Sequence, residues 1–306
     1  MKKNTRTKKI PTVTVAVCAL NEEHNIQSFL KSVLAQKEEG YKLEKIICIS
    51  DGSTDQTVAR AKKVKSDKLV VLDHKERIGK SSRLNEIYAM LTSDIVVLPD
   101  ADVVFADEHV ISHLIAPLTD SKVGMTGGHP LPFPAKTFVE QAVNLTLSAY
   151  IPLRPKYDAL SATGRIMALS KKFAKEITMP AETISNDGFT YFSCLTHGYK
   201  YQYVPEAVVY FRSPQTLYDH VNQNTRFDAT PAFMKRYFPA ELVEREYWID
   251  PQDIQPLMLK AMLSDPIHAL AIFFINRYCL LMAKIKLSSI NSLWEVVYSS
   301  KKVIQK

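Results

Sequence analysis

Asp100 and Asp102 stand two residues apart in "IVVLPDADVVF" (95–105), interrupting an apolar run with only an alanine between them. Alternate residues of an extended segment point to one side, so both carboxylates can face one ion. Placed that close, they repel unless something positive lies between them. Hard divalent cations such as Mg2+ or Mn2+ take oxygen ligands. They commonly divide their coordination between one or two carboxylates and the phosphates of a substrate. Two turn-forming aspartates are the plainer alternative, but a place at the tip of an apolar strand favours the metal.

Other residues invite chemistry and have to be weighed beside that pair. "KERIGKSS" (75–82) follows a strand and opens a helix, yet the residue five before Gly79 is His74. Without a glycine there, the loop cannot wrap a phosphate chain in the G-x-x-x-x-G-K-[ST] manner; Gly79-Lys80 can still bring one cation to a diphosphate. "CALNEEHN" after the first strand holds no glycine, which excludes a dinucleotide fingerprint. Asp187 in "SNDGF" (185–189) suits a helix N-cap by residue type and a carboxylate base by chemistry. His109 and His113 have the i, i+4 spacing a metal could use but read as surface residues. His220, near Arg226 in sequence, is a further candidate for a metal or phosphate contact.

These residues need a frame. "TVTVAVCAL" (12–20), "KIICIS" (45–50), "KLVVLDH" (68–74) and "DIVVLPD" (94–100) are short apolar runs, each followed by a helical stripe. Ile26, Phe29, Leu30, Val33 and Leu34 make the first stripe, and Leu84, Ile87, Tyr88 and Leu91 the third. Continuously apolar strands between amphipathic helices predict an α/β fold, a mostly parallel sheet covered on both faces. Ligands of such sheets bind beyond the carboxyl ends of the strands. Those ends carry Asn21-Glu22, Asp51, Asp73, and Asp100 with Asp102, a rim suited to a cation or to the donors of a base and ribose. Farther along, "GGHPLPFP" (127–134) reads as a loop, 136–150 as a helix and "GRIMALS" (164–170) as a strand. "YKYQYVPEAVVYF" (199–211) reads as an extended pair, and the pattern is helical from about 214.

Taken in order, "TVAVCALNEE", "ISDGSTDQT", "IGKSSRLN", "LPDAD", "ATGRIMALSK", "SNDGF" and "QNTRF" resemble the family 2 glycosyltransferases with the GT-A fold, over roughly residues 12–230. The resemblance implies an inverting transfer of sugar from a nucleotide sugar, here a UDP-sugar, to an acceptor hydroxyl. It implies that Asp51 binds the nucleotide base, with Ala19 and Glu22 on the base and ribose wall and Lys80 beside the nucleotide. Asp100 and Asp102 match the motif that holds a divalent metal, Mg or Mn, on the sugar diphosphate, and Asp187 matches the catalytic base. Asn186 stands where many members have Glu. "QNTRF" resembles the QxxRW element of polysaccharide synthases with Phe227 for Trp, which implies that Gln223 and Arg226 lie at the acceptor and diphosphate. Two competing functions are a non-catalytic nucleotide-sugar-binding subunit and a sugar nucleotidyltransferase; the second is disfavoured by the glycine-free "CALNEE".

Composition narrows the partners. The 306 residues are 46% hydrophobic and 23% charged, with a net charge of +7, the ordinary globular range. Residues 1–9 hold five basic residues and no acid, and residues 284–306 hold five lysines and one Glu, so the stretch between is nearly neutral. That distribution indicates no nucleic-acid groove; basic ends suit an anionic membrane face or serve as solvated tails. Cys18, Cys48, Cys194 and Cys279 are widely spaced and read as small buried hydrophobes in a reducing compartment. "PIHALAIFFINRYCLLMAKIKL" (266–287) is long and apolar, but Asn276-Arg277 splits it, and a central Arg costs about 2.5–3.5 kcal/mol on insertion scales. It reads as a helix packed on the catalytic domain or lying in a membrane interface. The expected organisation is a basic tail (1–10), a GT-A catalytic domain (11–230) and a C-terminal helical segment (231–306). The expected place is cytoplasmic, either free or peripheral on the inner membrane face.

Overall fold

The computed structural model describes residues 10–287, 293 and 298–301. The strands are β1 (Thr12–Ala19), β2 (Lys42–Asp51), β3 (Leu69–His74), β4 (Ile95–Pro99), β5 (Val103–Phe105), β6 (Val123–Pro132), β7 (Ile166–Ser170) and β8 (Lys200–Phe211). The helices are α1 (Ile26–Leu34), α2 (Thr57–Lys62), α3 (Lys80–Met90), α4 (Val110–Ile115), α5 (Phe138–Tyr150) and α6 (Asp158–Ser161). They continue as α7 (Lys171–Glu176), α8 (Asn186–Thr196), α9 (Leu217–Met234), α10 (Ala240–Tyr247), α11 (Pro251–Ser264) and α12 (Pro266–Lys286).

The strands form one sheet in the order β3-β2-β1-β4-β7-β6-β8-β5. The first four are mutually parallel, as the apolar runs predict. β7 runs antiparallel to both β4 and β6, and β5 antiparallel to β8. Side-chain alternation sends each strand into two cores. Val13, Val15, Val17, Ile46, Cys48, Ile95 and Val97 join one cluster with α1 and α4. Ala16, Ile47, Ile49, Val96 and Leu98 join the other with α3, α7 and α8.

Three expectations need correction. The run 95–105 is not one strand: Asp100, Ala101 and Asp102 form a turn between β4, in mid-sheet, and β5, at the far end of the strand order. Three residues span little distance, so the sheet curls to bring its last pair beside its middle. Second, 127–134 is mostly strand, not loop. Beyond Gly127, β6 pairs only with β8, and a strand with one free side accepts Pro130 and Pro132. Third, 199–211 is a single strand. Its register against β6 jumps between Gly127↔Tyr203 and His129↔Val208, leaving a bulge around Pro205. A Cβ on Gly128 would lie 2.7 Å from the Ala207 carbonyl, so glycine permits that close crossing.

α9 runs through residue 230, the expected domain boundary, and α10 buries Val243 in the second core. α12 turns Ala269, Ile272, Cys279 and Ala283 inward, against α5 and α9, at helical spacing. The polar break is explained on the same side: Asn276 Oδ1 meets His220 Nε2 at 3.1 Å. Arg277 stacks its guanidinium 5.1 Å from the Phe273 ring.

Candidate active site

The tips of β1, β2 and β4, the start of α3, the β7 approach and α8–α9 enclose a cavity of about 580 Å³. Ala19, Glu22, Asp51, Lys80, Asp100, Asp102, Asp187, Gln223 and Arg226 all line it, and so does His220. Of the expected acidic rim, Asp73 is not among the described lining residues; it pairs with Lys75 at 2.7 Å. His109 meets Glu39 at 3.1 Å near the surface, away from the cavity.

Asp51 ends β2 and is buried. Its carboxylate accepts from Ile78 N (3.0 Å), Gly79 N (2.9 Å) and Arg83 Nε (2.9 Å). Three donors on one carboxylate fasten the loop after β3 to the tip of β2. Gly52 then turns with φ +77°, where an added Cβ would lie 2.9 Å from the Arg77 nitrogen. That clamp sets the start of α3, and Lys80, its first residue, reaches Asp100 at 2.6 Å. Burial pulls the Lys80 ammonium down, but the Asp100 charge and hydrogen bond outweigh it, leaving the group above its usual value.

Asp102 has a weaker partner, Arg165 at 3.6 Å, whose guanidinium also stacks 3.8 Å from the Phe211 ring. Burial pushes the Asp102 carboxyl up, Arg165 offsets this in part, and Asp100 adds to it. Glu22 is pushed up to about 7, first by burial, against the opposing charge of Lys301 at 2.5 Å. Burial brings Arg226 down to about 10, opposed by Asp187 and Asp100. Its guanidinium thus faces the cavity, where an outward-facing QxxRF stretch would have left it in water.

Asp187 lies one residue inside α8. The cap is Ser185, whose hydroxyl accepts from Gly188 N. The Asp187 carboxylate accepts from Gly164 N at 2.9 Å through one oxygen. The other oxygen accepts from Ser185 Oγ at 2.6 Å and Gly188 N at 2.9 Å. One acceptor site on the carboxylate remains beyond these three. Asn186 turns away from such work: its amide donates to Ser81 Oγ at 2.6 Å and ties α8 to α3. Cys18 borders the cavity, but burial pushes its thiol up to about 12, so it stays a thiol.

Asp100 and Asp102 fit a divalent cation chemically. They are hard oxygen donors on one wall, and Asp102 is a half-buried carboxylate whose nearest cation stands beyond hydrogen-bond distance. Among the described residues no group of three or more His, Cys, Asp or Glu could hold a metal. The pair therefore suits an ion that takes its other ligands from phosphates and water. Sequence reasoning missed Arg83, Arg165, Gly164 and Lys301. An arginine four residues before Ile87 on the inward stripe of α3 was a usable signal for Arg83; Lys301 had none.

Residues 11–228 match the family model described as "Glycosyltransferase like family 2". The chain is 25% identical over 213 residues to poly-beta-1,6-N-acetyl-D-glucosamine synthase of Staphylococcus aureus, an overlap of 67% of this chain and 51% of that protein. The chain thus spans about half the length of that synthase. It is 27% identical over 197 residues to the O-antigen chain rhamnosyltransferase RfbN of Salmonella typhimurium, covering 61% and 63% of the two chains. Among solved structures, mannosyltransferase PcManGT from Pyrobaculum calidifontis, in complex with GDP-Man and Mn2+, aligns with a TM-score of 0.62. That match has 19% identity over 91% of this chain and 87% of the other. Glucosyl-3-phosphoglycerate synthase from Mycobacterium tuberculosis, in complex with Mn2+, UDP and phosphoglyceric acid, aligns with a TM-score of 0.53. Identity there is 19% over 75% of this chain and 80% of the other. These two likenesses establish the GT-A fold.

Proposed function

Because this chain belongs to the family 2 glycosyltransferases, we propose that it moves a sugar from a nucleotide sugar, specifically a UDP-sugar, to a hydroxyl of a glycan or lipid-linked acceptor. The transfer is one direct displacement with inversion at the anomeric carbon. The observation that carries this reading is the convergence of Asp51, Lys80, Asp100, Asp102, Asp187 and Arg226 on a single cavity. Residues 11–230 form the catalytic part, and the helices after it flank the acceptor side.

In this mechanism Ala19, Glu22 and Asp51 form the wall for base and ribose. Asp51 also holds the Gly79-Lys80 turn in place through its three hydrogen bonds. Asp100 and Asp102 would hold a Mg or Mn ion, which when bound draws off charge developing on the departing nucleoside diphosphate. Lys80 and Arg226 add fixed positive charge on the same side, in a sheltered cavity where it acts strongly. Asp187 takes the proton of the acceptor hydroxyl. Its contacts to Gly164, Gly188 and Ser185 aim the carboxylate. Gln223 orients the acceptor.

Support for a lipid surface comes from the far side of α12. Ile267, Leu270, Phe273, Phe274, Leu281 and Ile285 are exposed there, beside Leu259 and Leu263 of α11, and Lys284 and Lys286 close the helix. α12 is long and apolar enough to cross a membrane, by length and composition. Its inward face packs on α5, which also supplies Val143 and Leu147 to the cavity. We read this face as resting on the inner leaflet of an anionic bilayer. The decisive experiment incubates the protein with Mn2+ and a panel of UDP-sugars. Release of UDP, slow without acceptor and faster with one, is the expected result. Affinity without release, or pyrophosphate formed from UTP and a sugar phosphate, would overturn it.

A further inference from the structure

The cavity holds one cation that comes from far along the chain. Lys301 Nζ lies 2.5 Å from Glu22 Oε1 and also donates to the Leu20 carbonyl. Its own carbonyl accepts from Asn25 Nδ2 at 3.4 Å. Two residues earlier, Ser299 is buried; its N–H donates to Asp219 Oδ2 at 3.1 Å, and its hydroxyl accepts from Gln215 N at 3.0 Å. The segment is thus fastened to the tip of β1 at one end and to the start of α9 at the other.

Charge counting shows what that ammonium is worth. Asp51 and Arg83 neutralise each other, and Asp187 and Arg226 offset each other across the cavity. Three further pairs set acid against base, Glu22 with Lys301, Asp100 with Lys80 and Asp102 with Arg165, and Arg77 and Arg154 also line the cavity. A nucleoside diphosphate ester brings two negative charges, and a divalent cation brings two positive ones. Each of the three acids is matched only while its own base stays. Without Lys301 the Glu22 carboxylate loses its paired cation in a sheltered cavity, where an unpaired charge is costly.

We propose that Lys301 is a donor-binding residue: its ammonium holds Glu22 while the site is empty and turns onto the diphosphate of the incoming nucleotide. The inference rests on the glycosyl-transfer reading above. The ammonium sits at the Glu22 and Leu20 end of the cavity and leaves Asp100 to Lys80 and Asp102 to Arg165. It therefore borders the seat expected for the metal without filling it.

Binding of UDP and of uridine, each with Mn2+, is measured by calorimetry on the full chain and on Lys301→Met and Lys301→Arg. Lys301→Met should weaken UDP roughly tenfold, the scale of one charge-assisted hydrogen bond, and leave uridine within twofold. Lys301→Arg should recover most of the loss. Equal loss of UDP and uridine would mark a structural role and overturn the proposal. So would UDP affinity that is unchanged, or tightened as for a displaced plug. If the unaltered protein binds UDP and only the Lys301 effect is missing, the proposal alone falls. If it binds neither UDP nor GDP with Mn2+, the functional reading falls with it.

Discussion

Replacing Asp187 by Asn tests the mechanism most directly, because the structure separates two costs of the change. The amide cannot take a proton at any useful pH, so the acceptor hydroxyl loses its base. General-base assistance is worth about 10²–10⁴ in rate, or roughly 3–5 kcal/mol of barrier. The second cost is structural. Both carboxylate oxygens accept from backbone N–H groups, Gly164 on one side and Gly188 on the other, with Ser185 Oγ beside Gly188. An Asn side chain will keep its oxygen toward the two donors of Ser185 and Gly188 and turn its NH₂ toward Gly164. One hydrogen bond becomes a donor–donor contact, costing about 1–3 kcal/mol of stability, or several degrees in Tm. The half-buried Arg226 also loses its first opposing charge. The assays are calorimetry with UDP and Mn2+, thermal melting, and UDP-release kinetics. The expected outcome is UDP affinity within a few-fold, a modestly lower Tm and kcat down by about three orders of magnitude. A variant that melts early yet turns over within threefold of the unaltered rate would place the base elsewhere and refute the assignment.

Arg83→Met leaves Asp51 buried without its guanidinium, so unfolding experiments should show a loss of about 3–5 kcal/mol; the added change Asp51→Asn should restore part of it. Glu22 has its carboxyl raised to about 7 by burial, against Lys301 and Asn25, with the Asp102 charge adding to the rise. The folded protein therefore keeps a proton that the unfolded chain releases near 4.5. The Glu22 contribution to stability should be fully present below that value and be lost as pH rises to 7, by on the order of 3 kcal/mol. Asp228, pushed up to about 6 by burial, acts in the same sense, so the Glu22 share is the part of the Tm-against-pH slope that Glu22→Gln removes. On α12, Phe273 and Phe274 are 47% and 67% exposed. Changing both to Ser should weaken binding to anionic vesicles by about 2–3 kcal/mol, on the order of 50-fold, with Tm and UDP binding unchanged; undiminished flotation with vesicles would discard the bilayer contact.

Much of the fold was legible because it is written in short-range patterns. Continuous apolar runs and period-3.6 apolar stripes placed β1 to β4 and α1 and α3 within a few residues, since each face must be buried locally to form at all. The failures cluster where neighbours in space overrule neighbours in sequence. Pro130 and Pro132 look like loop residues, and only the one-sided pairing of β6 with β8 makes them strand residues. Asp100 and Asp102 were placed on one side of an extended strand; they reach one cavity wall instead through a turn demanded by the curl of the sheet.

By itself the sequence determined the kinds of chemistry available: acids at strand tips, a lysine opening α3, an ordered set of motifs, and no glycine loop for a phosphate chain. The tertiary structure alone decided which cation answers which acid. Arg83 meets Asp51, Lys80 meets Asp100, Arg165 meets Asp102, and Lys301 meets Glu22 from 279 residues away. The physical reason is range. Secondary structure follows from interactions over a few residues, whereas a buried charge must be neutralised by whatever the folded sheet and its returning helices bring within a few ångströms.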